Sequence, residues 1–216
     1  MSFWVTAQRG DRSACAGRKI EMALHIESRH LNGVVVLIPD AYEDERGFFM
    51  ETFHADQFRA LGLPGDFPQD NQSRSRRGVI RGLHFQWDPP MGKLMRVTYG
   101  SAFLVAVDIR KGSPTLGKWF GLEVPAESRK QVWAPAGFAR GFCALSDYAD
   151  VQYKCTGTYN GKAESGIRWD DPAIGIEWPL RNVIVSEKDR NALTFAEWLA
   201  SPNAHQFEYP LQTVSA

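Results

Sequence analysis

The sequence predicts a single all-β domain, a sandwich or barrel with a few short helices. From Val34 onward, Gly, Pro, Asn or Asp interrupt the chain at intervals of roughly 8–12 residues. The runs between these turns are rich in β-branched and aromatic residues, which favour strands. One run alternates apolar residues with mostly small or polar neighbours, as a half-buried strand does: Phe103, Val105, Val107 and Ile109. No long helical periodicity interrupts this pattern, so alternating strand–helix units are not expected.

The strand-like runs follow one another along most of the chain. They are residues 34–38, 48–53, 94–99, 102–109, 119–124, 131–134, 141–145 and 151–156. Two segments predict helices instead, a short one at 56–61 and a second at 189–199. In the second segment, Leu193, Ala196 and Leu199 fall on one face of a helix. These helices are too few to change the prediction of one β domain.

Residues 1–21 differ from the rest of the chain. They carry several basic residues but lack the apolar segment of roughly 7–15 residues that a signal peptide requires. We interpret them as a disordered extension, and a transit peptide is the alternative. The domain is predicted to span residues 22–200, followed by a C-terminal tail at 201–216. A chain of 216 residues is long enough for one substantial core and too short to expect two.

The overall charge gives no sign of a polyanionic partner. Lys plus Arg number 25, as do Asp plus Glu, so neither nucleic acid nor an anionic membrane is predicted as a partner. The longest apolar run, 34–39, is far shorter than the roughly 20 residues of a membrane-spanning helix. Cys15, Cys143 and Cys155 lack CxxC spacing. They predict neither a disulfide framework nor a zinc site, and they fit a reducing cytoplasm.

The segment 69–93 concentrates basic and polar residues. Three of its arginines lie beside small polar residues and a Gly, which favours a solvated basic loop: Arg74, Arg76 and Arg77. Arg81 and His84 lie instead in an apolar run that predicts a strand. Because side chains alternate in a strand, Arg81 and His84 should face opposite sides of the sheet, and Gly82 between them indicates close approach of another group. Taken alone, His84 is slightly better explained as a hydrogen-bonded core histidine.

Ordered motifs from Val34 to Asp189 give the sequence a family resemblance. They are Asp44-Glu45-Arg46-Gly47-Phe48-Phe49 with Glu51, Gln69-Asp70-Asn71, Arg81-Gly82-Leu83-His84-Phe85-Gln86, Gly92-Lys93-Leu94, Val107-Asp108-Ile109-Arg110 with Ser113-Pro114-Thr115, Pro135-x-Gly137-Phe138-Ala139, Tyr153-Lys154, Asp171-Pro172, Ile176-x-Trp178-Pro179 and Ser186-x-Lys188-Asp189. In order and spacing, these motifs resemble the dTDP-4-dehydrorhamnose 3,5-epimerases. The resemblance implies a double-stranded β-helix, the cupin-like jelly roll, and a carbohydrate epimerase of deoxysugar and polysaccharide biosynthesis.

The resemblance also implies roles for particular residues. Four correspond to catalytic positions: His84 to the general base, Asp189 to its paired carboxylate, Tyr153 to the acid on the opposite side of the sugar, and Lys93 to the lysine beside the 4-keto oxygen. Substrate-binding positions correspond to Arg46, Glu51, Gln69, Asn71, Arg81 and Tyr159. Members of the family act as homodimers, in which N-terminal strands contribute to the partner subunit. The expected substrate is a nucleotide-linked 4-keto-6-deoxyhexose, carried on dTDP or, as alternatives, on CDP or GDP.

These residue types suit proton transfer next to a ketone. The base needs a pKa near the working pH, and the ordinary pKa of histidine is about 6.5. A carboxylate on one ring nitrogen fixes the tautomer, and a lysine ammonium stabilises the enolate oxygen. A protonated tyrosine can return a proton from the other face. Guanidinium groups bind diphosphate through paired hydrogen bonds.

Each candidate also has a purely structural alternative. These alternatives are a helix cap for Asp189, a surface charge for Lys93, a core tyrosine for Tyr153, and surface ion pairs for Arg46 and Arg81. The sequence contains no P-loop or GxGxxG motif, and the candidate histidine has no partner histidine two residues away. Proton transfer requires neither nicotinamide nor flavin. We therefore expect no cofactor and no metal.

Two positions depart from the family pattern. The family usually has His where this chain has Arg140, and an acidic residue where this chain has Leu104. If Arg140 points into the pocket, it cannot act as a base, and it would disfavour a protonated His84. We therefore count Arg140 among the expected substrate-contacting residues and hypothesise epimerisation restricted to C5 or C3. The alternative is that Arg140 points elsewhere and both carbons react.

Two other functions remain open from the sequence. One is a 3,4-ketoisomerase acting on the same kind of sugar nucleotide. The other is a sugar-nucleotide-binding protein without catalytic activity. The candidate base and acid are present together with their supporting groups, as His84, Lys93, Tyr153 and Asp189. Because binding alone requires no base–acid pair, the presence of all four favours an enzyme.

Overall fold

The computed structural model describes residues 23–209 of the chain. In this part of the chain, two β-sheets are accompanied by a separate two-stranded hairpin. The predicted extension 1–21 lies outside the described residues, as do residues 210–216 of the predicted tail. Residues 201–209 of that tail pack onto the domain and bury Ala204 and Phe207.

The strands and helices are numbered in chain order. The strands are β1 (Leu24–His30), β2 (Val34–Pro39), β3 (Ala41–Asp44), β4 (Gly47–Met50), β5 (Gln69–Arg76), β6 (Val79–Gln86), β7 (Lys93–Tyr99), β8 (Ser101–Asp108), β9 (Trp119–Pro125), β10 (Gln131–Ala134), β11 (Phe138–Ala144), β12 (Tyr148–Cys155), β13 (Glu164–Gly166) and β14 (Ile184–Val185). The helices are α1 (Ala55–Ala60), α2 (Glu187–Arg190) and α3 (Phe195–Ala200), with 3-10 helices at Ala126–Ser128 and Pro202–Phe207.

The two sheets enclose the main core. The first sheet has the order β1-β2-β10-β7-β12-β5, and the second has the order β13-β6-β11-β8-β9 with β14 beside β6. Apolar side chains of both sheets meet between them, among them Val97 and Val151 from the first and Leu104 and Phe142 from the second. The predicted all-β class is therefore confirmed.

Further apolar layers cover the outer faces. Phe58 of α1 packs with Leu37 and Trp133 of the first sheet. Trp198 of α3 packs on Phe85 of the second sheet, with ring centroids 4.4 Å apart. Each sheet thus packs on the core between the sheets and, over part of its outer face, on a second apolar layer.

The predicted helix 189–199 is two helices, α2 and α3. The chain leaves helical geometry before Thr194, whose side chain accepts a hydrogen bond from the backbone N–H of Glu197. The Glu197 carboxylate accepts the Thr194 N–H in return. Such a reciprocal capping box starts a new helix, and it outweighs the apolar spacing that had suggested a continuous one.

The prediction of a loop for Arg74 and Arg76 is wrong. Both residues lie in β5, whose exposed and less exposed residues alternate. Arg74 forms a two-pronged ion pair with Asp150 of the neighbouring β12, at 2.7 and 2.8 Å. Cross-strand pairing thus holds a segment whose composition resembled a loop. Arg77 does lie in a turn.

A buried ion pair anchors the β1–β2 turn to the domain. Asp108, fully buried, accepts hydrogen bonds from the guanidinium of Arg110 and from the hydroxyls of Ser113 and Thr115. Arg110 also donates to the backbone carbonyl of Leu31, at 2.9 Å. Burial alone would raise the pKa of Asp108. The hydrogen bonds lower it by a larger amount, so the net pKa is below the ordinary value.

Residues 23–209 contain neither a membrane-spanning helix nor a cluster of metal ligands. No helix there combines the length and apolar character needed to cross a membrane. No group of three or more His, Cys, Asp or Glu side chains in the same range is arranged to hold a metal ion.

Candidate active site

The inner face of the first sheet gathers several candidates. Tyr153 pairs with Asn71 and packs against the core between the sheets. Two residues further along β12, Cys155 pairs with Gln69 on one side and Lys93 on the other. Directly paired residues point to the same face of a sheet. Gln69, Asn71, Lys93 and Tyr153 therefore share the inner face.

The inner face of the second sheet carries both Arg81 and His84. On the neighbouring strand β11, His84 pairs with Arg140 and Arg81 pairs with Phe142, a residue of the core between the sheets. Two residues on β6 thus lie opposite a single residue on β11, which is a β-bulge. The prediction that Arg81 and His84 face opposite sides is wrong, because the extra residue reverses the alternation.

Gly82 allows the bulge to form. Its φ is +129°, and a Cβ at this position would lie 2.6 Å from the Cα of Gly141 and 2.8 Å from the carbonyl oxygen of Arg140. The Gly82 N–H also donates to Asp189 Oδ2, at 3.2 Å. The close approach that the sequence indicated is therefore that of the neighbouring strand.

We expect Gly82→Ala to destabilise the protein by more than the roughly 1–3 kcal/mol of backbone strain at such a conformation, because the new methyl also meets backbone atoms. Gly112→Ala is the matched control, since its φ is +79° but nothing lies within 4 Å of its Cβ position. Urea unfolding of both variants measures the difference. Equal losses of unfolding free energy would show that the contact with β11 does not matter.

His84 and Asp189 form a hydrogen-bonded pair. The distance from His84 Nε2 to Asp189 Oδ1 is 2.6 Å, and the His84 side chain keeps 32% of its exposure whereas that of Asp189 keeps 6%. Burial alone raises the pKa of Asp189, but hydrogen bonds from His84 and the Gly82 backbone outweigh it, so its net pKa is lowered. An ionised carboxylate favours hydrogen on Nε2, which leaves the Nδ1 lone pair of His84 free to accept a proton.

The helix-cap alternative for Asp189 is wrong. Ser186 caps α2, and its side chain accepts the hydrogen bond of the Asp189 N–H at 3.1 Å. Asp189 lies in the first turn of that helix. The helix therefore directs the Asp189 carboxylate at β6 instead of using it as a cap.

Lys93 and Tyr153 lie opposite this pair, on the first sheet. Lys93 Nζ lies 5.8 Å from the centroid of the Tyr153 ring. Burial lowers the pKa of Lys93 and raises the pKa of Tyr153. Lys93 is half-buried on the inner face, so the surface-charge alternative is wrong. The raised pKa keeps the Tyr153 phenol protonated at neutral pH.

Gln69, Asn71 and Tyr159 are linked at the rim of the site. Gln69 accepts the backbone N–H of Tyr159 at 2.7 Å and donates to the Asn71 side chain at 3.2 Å. The Tyr159 side chain itself is largely exposed. Arg81 donates from Nε to the Ser75 hydroxyl of β5, across the space between the sheets, at 3.0 Å.

Glu164 and Lys188 join the site although the sequence had not indicated them as functional. Glu164 forms an ion pair with Lys188 and accepts a hydrogen bond from the Tyr159 hydroxyl. Its strand β13 pairs with β6, where Glu164 lies opposite Gln86 and Gly166 lies opposite His84, and the charge of Glu164 helps to raise the pKa of Tyr153. The only sequence signal for Lys188 was its place beside Asp189, and Glu164 gave none.

Arg46 and Glu51 are not brought to the other candidates within one chain. Arg46 lies in the turn of the β3–β4 hairpin, is largely exposed and pairs with Asp44. Glu51 accepts a hydrogen bond from Gln57. Phe48 of the same hairpin is also exposed, with the guanidinium of Arg129 over its ring at 4.8 Å.

The two positions that depart from the family pattern are both buried between the sheets. Leu104 is fully buried in the main core. Arg140 is 3% exposed, and its guanidinium donates to the carbonyl oxygens of Val105, Lys93 and Val132, at 3.1, 3.1 and 3.5 Å. Burial lowers the pKa of Arg140 to about 9, so it still carries a positive charge at neutral pH.

These features define a jelly-roll protein of the cupin type with a site between its sheets that is equipped for proton transfer. A sequence profile of the dTDP-4-dehydrorhamnose 3,5-epimerases matches residues 28–197. The chain belongs to this family of isomerases.

Individual relatives agree. A dTDP-4-dehydrorhamnose 3,5-epimerase from Methanothermobacter thermautotrophicus is 54% identical over 164 residues, covering 74% of this chain and 89% of that protein. The crystal structure of a dTDP-6-deoxy-D-glucose-3,5-epimerase from Legionella pneumophila, in complex with dTDP-4-keto-L-rhamnose, has a TM-score of 0.81 at 42% identity, covering 87% of this chain and all of that one. A dTDP-4-dehydrorhamnose 3-epimerase from Streptomyces niveus is 40% identical over 169 residues, covering 77% of this chain and 82% of the relative. The predicted fold and family are confirmed.

Proposed function

We propose that the protein is a dTDP-4-dehydrorhamnose 3,5-epimerase that inverts carbons next to the ketone of a dTDP-linked 4-keto-6-deoxyhexose. One observation carries the proposal. A carboxylate-paired imidazole, His84, lies on the inner face of one sheet, and a phenol, Tyr153, lies on the inner face of the facing sheet. A base and an acid on opposite walls are what inversion by proton transfer requires.

In the proposed reaction, Nδ1 of His84 takes the proton from a carbon beside the 4-keto group. The electron pair of the C–H bond moves into the ring and forms an enolate with its charge on the ketone oxygen. The Lys93 ammonium stabilises that oxygen, as donors aimed at developing charge do. Tyr153 then returns a proton to the opposite face of the carbon, and solvent restores both groups.

The substrate class follows from the relatives and from the positive charges at the site. The Legionella relative was crystallised with a dTDP-linked 4-keto sugar. Arg81 and Lys188 are cations beside the candidate catalytic pair, and such groups suit a diphosphate. The aromatic ring of Tyr159 is available at the rim to stack on the nucleotide base.

Incubation in deuterium oxide with a dTDP-linked 4-keto-6-deoxyhexose, followed by NMR, tests the reaction. We expect deuterium at both C3 and C5. Label at a single carbon would instead support the restricted epimerase, a specificity that the Streptomyces niveus relative bears in its name. Migration of the ketone to C3 would indicate a ketoisomerase. Binding of dTDP without exchange would indicate a non-catalytic binding protein. Faster turnover of CDP- or GDP-linked analogues would show that the preferred substrate carries CDP or GDP instead of dTDP.

Tyr153→Phe separates the two proton transfers. The phenol is the proposed acid, so its loss should lower net inversion by about 10²–10⁴-fold. Removal of the substrate proton by His84 should be affected less, so deuterium exchange with retention should exceed inversion. NMR of the labelled sugars measures both. Equal losses of exchange and inversion would assign Tyr153 to a different step.

Tyr148→Phe is the matched control for this substitution, because Tyr148 lies at the start of the same strand with an exposed ring. Its exchange and inversion rates should both remain at the wild-type value.

We further propose that the protein works as a cytoplasmic homodimer. The β3–β4 hairpin exposes Phe48 and Phe49 and holds Arg46 away from the site of its own chain. A second copy would place this hairpin, with Arg46, at the partner's site. Sedimentation at micromolar concentration tests the dimer, and a monomer with full activity would exclude it.

The cysteines support the proposed cytoplasmic location, because the free, buried thiols of Cys143 and Cys155 fit a reducing compartment.

A further inference from the structure

Arg140 is a buried cation for which residues 23–209 provide no carboxylate partner. The positive charge is surrounded by the main-chain oxygens of β7, β8 and β10. Burial is the one cause of its lowered pKa. Arg110, by contrast, has an acidic partner in Asp108. A buried charge without a counter-charge is costly. A protein retains such a charge at low cost only where an anion compensates it.

Arg140 is also joined to the proposed active site. One of its three hydrogen bonds goes to the carbonyl oxygen of Lys93, whose ammonium is proposed to contact the ketone. On the neighbouring strand, Arg140 pairs directly with His84, so both side chains leave the sheet on the same face. Arg140 thus contacts the backbone of Lys93 and lies beside His84, the two residues proposed to act on the substrate.

The groups that act on Lys93 come from every element around it. They are Cys155 and Tyr153 of β12, Arg140 of β11, Glu164 of β13 and Lys188 of α2. Glu164 is the single carboxylate among these groups, and it is already engaged by Lys188 and Tyr159. Within residues 23–209, therefore, no carboxylate forms an ion pair with either Lys93 or Arg140, although the two cations act on each other.

We propose that Arg140 is a positioning residue whose fixed charge, together with Lys93, is balanced by the enolate that forms on the substrate. This inference rests on the proposed function and names the charge that the site is built to receive. In a dry site, a preformed positive charge stabilises an anion more than it does in water, and it needs no reorganisation when the anion appears. The neutral ground-state ketone gains little from it, so the effect should appear in kcat and not in KM.

A second consequence concerns the pH dependence. Burial lowers the pKa of Lys93 most, and the charge of Arg140 lowers it further. A lysine with a lowered pKa loses its proton at a lower pH than usual. Because the ammonium form is the active one, kcat should fall as pH rises through this lowered pKa. Removal of the Arg140 charge should move that alkaline limit upward.

Arg140→Met and Arg140→Gln, which remove the charge, test the proposal. In the two neutral variants we expect kcat to fall by about 10–100-fold with KM within about twofold, and the alkaline limit of kcat to move to higher pH. Arg96→Met is the matched control, because Arg96 is a half-buried arginine on the same strand as Lys93. It should keep the kcat and the pH profile of the wild type.

The outcomes separate the two proposals. A folded neutral variant with wild-type kcat and an unmoved alkaline limit would reduce Arg140 to a structural role. If neither neutral variant folds, NMR titration of the Lys93 side chain in the wild-type protein decides, and a pKa at the ordinary value of about 10.4 would overturn the inference. A wild-type protein that exchanges no substrate hydrogen would instead reject the proposed function, and the Lys93 titration does not depend on that result.

Discussion

His84→Asn is expected to lower the rate of substrate deuterium exchange by about 10²–10⁴-fold. Asp189 engages Nε2 of His84, so the lone pair of Nδ1 is available to take the substrate proton. The amide of an asparagine at this position has no comparably basic atom. The exchange assay in deuterium oxide measures the effect directly. Because the His84 side chain is partly exposed, the fold should tolerate the substitution, and thermal unfolding verifies this.

The surface of the molecule offers a matched control for His84. His25 also pairs with an aspartate, with 2.9 Å between its Nε2 and Asp40 Oδ1, but it lies on the exposed strand β1. His25→Asn should leave exchange unchanged. If His84→Asn retains exchange at the rate of His25→Asn, the base is another group and the proposed mechanism fails.

The sequence predicted the membership of the site better than its geometry. His84 and Asp189 were paired by family resemblance, and they lie 2.6 Å apart. The directions of Arg81 and His84 were predicted incorrectly, because strict alternation holds only for a strand without a bulge. The bulge depends on Gly82 meeting Gly141 of another strand, and no local pattern encodes that contact.

Long-range contacts explain the other differences. Arg74 looked like a loop residue because its neighbours are small and polar, but pairing with Asp150 makes its segment a strand. Glu164 is remote from the recognised motifs, and it reaches the site only because β13 pairs with β6. The surroundings of Arg140 could not be predicted, since its three acceptors come from strands that folding alone brings together.

The largest stability effect is expected from Asp108→Asn. Asp108 is fully buried, and it balances the charge of Arg110 while accepting hydrogen bonds from two hydroxyls. The amide keeps the size of the carboxylate but leaves the guanidinium without its counter-charge. Breaking a buried pair in this way typically costs about 3–5 kcal/mol. Urea unfolding at pH 7 measures the loss of unfolding free energy.

Asp170→Asn is the control, because Asp170 forms a similar ion pair with Arg168 in which both side chains stay about 40% exposed. It should cost about 0–1 kcal/mol, as exposed pairs do.

The pH dependence of stability separates the effect of the Asp108 charge from the effect of packing. The pKa of Asp108 is lower in the folded state, so its charge stabilises the fold above the unfolded pKa of about 3.9, and this stabilisation is lost as pH falls through the folded pKa. The gap between wild type and Asp108→Asn should therefore narrow under acid conditions. A gap that stays constant down to the folded pKa would assign the loss to altered hydrogen bonding and packing, and not to the missing charge.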